Sequence, residues 1–140
     1  MRLVVLDTNV IVSAGIKPQG APGKLIMDWV LEGQVQVVTS PLIVEEYREI
    51  AQRPKFYRYG FPLWLEFLVE ESLHLHDSGS WLHAVPDPKG LPFLGLARAA
   101  GAWLVIGNLR HFPVAACRPV KVLSPTDYLT HLMESTNAAL

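Results

Sequence analysis

The absences in this chain narrow its class first. It has a single cysteine, Cys117. No intrachain disulfide can therefore form and no thiolate cluster can hold a metal, which suits a reducing cytoplasm. No apolar run approaches the roughly 20 residues that span a bilayer, and the apolar N-terminal stretch, broken by Asp7, is too short for a secretory signal. Net charge of one sign is missing too. Lys and Arg number 12 against 13 Asp and Glu, a formal charge of −1, so a polyanion would have to be met by a local patch or by metal ions. There is no Gly-x-x-x-x-Gly-Lys-Ser/Thr, no Gly-x-Gly-x-x-Gly and no Gly-x-Ser-x-Gly, which removes support for the common nucleotide sites and for a serine hydrolase elbow. Repeats and low-complexity tracts are also lacking. The expectation is a soluble, cytoplasmic, globular protein without a membrane partner.

What is present is a core. Half of the 140 residues are hydrophobic, enough for one domain, expected over residues 1–134 with a frayed tail at 135–140. The chain opens Arg2-Leu3-Val4-Val5-Leu6-Asp7-Thr8-Asn9-Val10, an apolar run that reads as a strand buried on both faces and ends in polar residues. Lys17 to Gly23 reads as a loop, with a helix from Leu25 stopped by Gly33. Val35–Thr39, Trp103–Ile106 and Val120–Leu123 read as further strands, and Ser40-Pro41 and Ser124-Pro125 as helix starts. Pro62 to about Ser72 and Phe93 to Ala100 have helical spacing, the latter stopped by Gly101. Strands followed by helices through short links predict an α/β protein, a three-layer α/β/α fold with a mostly parallel central sheet.

Acids at strand ends are the informative polar residues. In an open α/β sheet the carboxyl ends of the strands form the binding crevice, and an acid buried there needs a cation, a donor or water. Asp7 stands at such a position, and capping the next helix, Thr8 to Ser13, is its bland alternative. On the helix after Ser40-Pro41, Leu42, Ile43, Tyr47 and Ile50 form the apolar face. Glu46 lies among them while Glu45 and Glu49 face solvent. Glu46 is thus a site candidate, with a salt bridge to Arg48 as its alternative. Asn108 follows another strand and Asp87 precedes a helix, so all four are expected to face one edge of the sheet. Hard oxygen donors without clustered Cys or His select Mg²⁺ or Mn²⁺, and carboxylates around such ions are the apparatus of phosphodiester hydrolysis. Arg53 to Phe61 mixes cations with aromatic rings. That mixture reads either as phosphate contacts with base stacking or as a loop whose rings plug the core. His74 and His76 share one face of a short strand, most simply a solvent face.

Four passages together resemble the PIN-domain ribonucleases: Val5 to Val10, Thr39-Ser40-Pro41 through Glu46-Tyr47, Asp87-Pro88-Lys89 through Ala97, and Ala99 to Gly101 through Asn108-Leu109-Arg110-His111-Phe112-Pro113. The match is nearest to the small prokaryotic branch described as toxins of toxin–antitoxin pairs. The resemblance implies a Mg²⁺ or Mn²⁺ site, cleavage of single-stranded or structured RNA, an antitoxin partner and homo-oligomers. It implies Asp7 and Glu46 as metal-binding, catalytic acids, with Asn9 and Ser40 as supporting polar residues; Asp87, four residues before the departed position, is a third candidate acid, reaching in directly or through water, and Asn108 a further supporting residue. Arg53, Lys55, Arg58, Arg110 and His111 are candidate RNA contacts. The chain departs from the family where Asp-Pro-x-Asp-Asp-x-Phe is usual and it reads Asp87-Pro88-Lys89-Gly90-Leu91-Pro92-Phe93. The acid expected at the helix start falls on Leu91, a fourth acid is replaced by Asn108, and Ile106 stands for a hydroxyl residue. The expected result is weakened metal binding and slow or silent catalysis, which Gly90→Asp with Leu91→Asp should reverse. A silent PIN fold that binds RNA or a protein partner is the alternative.

Overall fold

The computed structural model describes residues 2–59, 61–77, 81 and 88–138; Asp87 and the expected turn at 78–80 lie outside them. The first strand, β1 (Arg2–Leu6), has Val4, Val5 and Leu6 fully buried in succession. Successive side chains point to opposite sides of a sheet, so both faces of β1 are covered. Each such burial is worth about 1.5–3 kcal/mol, which makes β1 the centre of the sheet. It pairs in parallel with β2 (Val35–Thr39) on one side and with β4 (Trp103–Val105) on the other. The short strands β3 (Leu73–His74) and β5 (Val122–Leu123) form the edges, giving the all-parallel order β3-β2-β1-β4-β5. The chain winds outward from β1 through β2 to β3, then crosses back to β4 and β5. Its switch point therefore lies beside the carboxyl end of β1, where an open crevice is expected.

Helices join the strands: α1 (Thr8–Ile16), α2 (Ala21–Lys24), α3 (Pro41–Ala51), α4 (Phe61–Glu71), α5 (Leu91–Ala100), α6 (Val114–Cys117) and α7 (Pro125–Ala138). The structure departs from the sequence pattern in three places and follows one of its two readings in a fourth. Helix starts at Ala21, inside the expected loop, because Pro22 is tolerated in a first turn whose N–H groups lack partners anyway. It widens over Leu25–Val30 into π-type winding and ends before Gly33, which takes φ +79°. Leu42 is 48% exposed rather than part of the apolar face. It sits in the first turn of α3, where its N–H donates to Asp77 Oδ1 at 3.1 Å, and Val44 takes its place in the core. Residues 54–59 form a 3₁₀ turn that buries Phe56, the bland reading of that aromatic stretch. Finally, α7 continues to Ala138, through Ser135 and beyond, where a frayed tail was expected. Among the described residues no helix is long and apolar enough to cross a membrane.

Candidate active site

The carboxyl end of β1 is tied to two other elements. The Asp7 N–H donates to the Val105 carbonyl at 2.9 Å, and the Tyr47 hydroxyl of α3 donates to the Leu6 carbonyl. One peptide group is thereby held by β4 through its N–H and by α3 through its C=O. The Tyr47 hydroxyl is pushed well above its usual range, first by burial and then by the charges of Asp7 and Glu46. It therefore stays protonated and keeps donating. Glu46 precedes Tyr47 on the helix and accepts a hydrogen bond from the Thr8 hydroxyl. The alternative partner for Glu46 is occupied elsewhere, since Arg48 makes a two-pronged pair with Glu66 of α4, both contacts at 2.8 Å.

These ties bring Asp7 and Glu46 onto one half-buried wall. Burial raises the Asp7 carboxyl above its ordinary value. The N–H groups of Asn9 and Gly107 pull the other way, the charge of Glu46 adds to the rise, and the Thr8 N–H again opposes it. Asp7 occupies the N-cap position of α1, but its side chain forms no cap hydrogen bond of good geometry and the Asn9 N–H only partly offsets the effect of burial, so capping alone does not account for it. An acid whose proton affinity is raised by burial and by a neighbouring carboxylate is relieved by a cation placed beside it. Mg²⁺ is commonly held by only one or two carboxylates, with water and phosphate oxygens completing its shell. The pair fits one such ion. Among the described residues no three His, Cys, Asp or Glu side chains gather closely enough to make a fuller protein cage.

The acid pair faces a cleft of about 260 Å³ that also takes in Asn9, Arg53, Lys89, Gly90, His111 and Phe112. Of the residues expected from sequence, Asn9, Arg53 and His111 line this cleft. Other expected residues stand apart from the cleft. Ser40 is buried at the head of α3. Asn108 is spent locally: its Oδ1 accepts the Arg110 N–H at 3.1 Å and caps the short turn Leu109–His111. Lys55 lies over the Phe56 ring at 5.0 Å, and Arg110 is exposed outside the cleft. The Arg58 side chain, like Asp87, is outside what is described. On the sheet edge, His74 Nδ1 contacts Thr39 Oγ1 at 3.1 Å, a structural use of that histidine.

The wall opposite the acids is built differently. Of the two positions without an acid, Gly90 lines the cleft and Leu91 does not. A Cβ on Gly90 would come within 2.6 Å of Phe112 Cζ, so the phenyl ring fills the space a side chain there would need. Gly90→Asp would collide with that ring, which corrects the simple restoration expected from sequence. Thr8, Lys89 and the Gly90–Phe112 contact were not picked out as site features. Thr8 carried a readable signal, standing between Asp7 and Asn9 at the strand end. The ring contact carried none, being a matter of tertiary packing.

The strand order, with two acids lining the cleft at its switch point, defines a doubly wound α/β protein. The chain belongs to the PIN-domain family, whose model matches residues 3–110. It is 45% identical over 56 residues to the uncharacterized protein MJ1680 of Methanocaldococcus jannaschii, a match covering 40% of this chain and 36% of that protein, so the chain spans about a third of this relative's length. Its fold resembles the crystal structure of VapBC2 from Rickettsia felis bound to a DNA fragment from their promoter, with a TM-score of 0.59 over 87% of this chain and 98% of that one. At 14% identity that likeness concerns the fold alone.

Proposed function

We propose that the protein is a PIN-type endoribonuclease that hydrolyses phosphodiester bonds with Mg²⁺ or Mn²⁺. The observation that carries this is the convergence of Asp7 and Glu46, from separate elements, on one cleft at the sheet's switch point, with Glu46 oriented by Thr8. Asp7 and Glu46 would hold the ion, with Asp87 a third candidate, and the ion would supply an activated water and charge stabilisation at the phosphate. Asn9 supports the acids from the same wall. The substrate is single-stranded or structured RNA, the compartment the cytoplasm, and the physiological setting a toxin–antitoxin pair in which a homo-oligomer meets an antitoxin. The VapBC2 likeness supports that setting only at the level of fold.

A silent PIN fold that binds RNA or protein without cutting is the second reading. It is favoured by the Phe112 ring standing where an acid at position 90 would be. Calorimetry of Mn²⁺ binding, wild type beside Asp7→Asn, with cleavage of a mixed RNA pool in the same buffer, separates the two. Binding and cleavage that both disappear in the variant establish the nuclease. Absence of binding in the wild type leaves the second reading.

A further inference from the structure

The cleft contains cations as well as acids. Lys89 and Arg53 both line it, facing the space in front of Asp7 and Glu46. Lys89 also borders the adjoining groove of about 250 Å³ that carries Glu45, Glu46 and Glu49. It precedes Gly90, whose missing side chain is replaced in space by the Phe112 ring. This wall has therefore lost room for a carboxylate, and a lysine that lines the cleft stands beside that position. Among the described residues Arg53 pairs with Glu49 alone, at 3.8 Å and exposed on both sides, an arrangement too weak to withhold the guanidinium from another anion.

Among the described residues two carboxylates line the cleft, a thin donor set for more than one divalent ion, yet a phosphodiester brought there needs positive charge on its side facing away from the acids. Lys89 and Arg53 are fixed to the protein and need no loading. We propose that they form a metal-independent grip on the RNA backbone: Lys89 as a point charge and Arg53 as a planar fork hold phosphate oxygens in the cleft. The inference rests on the nuclease reading for its substrate class, but not on metal being bound.

The test is binding of a fluorescein-labelled, mixed-sequence single-stranded RNA oligonucleotide in EDTA, followed by anisotropy over a salt series. Wild type should bind. Lys89→Ala and Arg53→Ala should each weaken binding about tenfold and reduce the salt slope by about 0.7, one phosphate contact. Lys89→Arg should restore affinity, whereas Lys17→Ala, an exposed cation outside the cleft, should change nothing. Thermal melts establish that each variant is folded, and Lys89→Met should tighten Mn²⁺ binding because a like charge has left the cleft. Binding in EDTA that is insensitive to Lys89, or seen only when Mn²⁺ is added, overturns the proposal and leaves the nuclease reading standing. Lys89-dependent binding in EDTA by a protein that takes up no Mn²⁺ overturns the nuclease reading and leaves this one.

Discussion

The two walls of the cleft are made by different means. On the β1–α3 side, polar groups are held in place by polar groups: Thr8 on Glu46, Tyr47 on the Leu6 carbonyl, and the Thr8, Asn9 and Gly107 amides around Asp7. On the side of Gly90 and Phe112, the surface is set by a ring filling a missing side chain. The first wall stores electrostatic cost that a ligand can relieve, while the second is ordinary close packing. Substitutions on the two walls should therefore change the stability of the metal-free protein in opposite directions.

The largest effect is expected on the packed wall. Gly90→Ala forces its new methyl against the Phe112 ring and should destabilise the protein by about 1–3 kcal/mol in urea denaturation. Phe112→Leu should cost stability in its own background yet recover part of the loss when combined with Gly90→Ala. A double-mutant cycle showing simple additivity would break the comparison. The same logic makes Gly90→Asp with Phe112→Ala, rather than Gly90→Asp with Leu91→Asp, the pair that opens room for a third carboxylate.

A smaller effect of opposite sign is expected on the acid wall. The Asp7 carboxyl is raised above its unfolded value of 3.8, so the folded state binds its proton more tightly. Stability must then fall as the pH rises from near 3.8 through the raised value, and the penalty is fully present above it. Asp7→Asn, which cannot ionise, should melt higher than wild type near neutral pH in EDTA, and the gap should close as the pH falls toward 3.8. Saturating Mn²⁺ should raise the wild-type melting temperature without raising that of the variant. A gap of the same size at every pH would show that the charge on Asp7 is not the cause.

The smallest effect lies outside both walls. The Arg48–Glu66 pair has good geometry but is about half exposed on each side, at 47% and 52%. Arg48→Ala should cost no more than about 1 kcal/mol and leave Mn²⁺ binding unchanged, because Glu46 does not depend on Arg48. A marked loss of metal affinity in that variant would couple α4 to the site.

Local chemistry was legible in the sequence. The triple run Val4-Val5-Leu6 announced a doubly covered strand, Ser40-Pro41 and Gly101 marked helix ends, and helical spacing separated half-buried Glu46 from exposed Glu45 and Glu49. Convergence of Asp7 with Glu46 was also legible, because acids after adjacent parallel strands must share an edge. Chain-end effects and tertiary contacts were not. Leu42 fits a helical stripe but lies in a first turn that the core does not cover, and Asn108 looks like a ligand while serving as a cap. Gly90 reads as a lost acid until Phe112 is placed against it. Periodicity reports which side of an element faces inward, and it is silent about which distant ring arrives there.

The peptide group between Leu6 and Asp7 has a consequence for motion. Its oxygen is engaged by α3 and its nitrogen by β4, so it cannot rotate or slide without breaking a bond to one element or the other. Since Asp7 follows that peptide and Glu46 adjoins Tyr47, the separation of the two acids is governed by backbone and a buried phenol rather than by flexible side-chain reach. The pair rests on a keystone: the backbone positions that carry the two acids can part only by breaking the Tyr47–Leu6 or the Asp7–Val105 hydrogen bond.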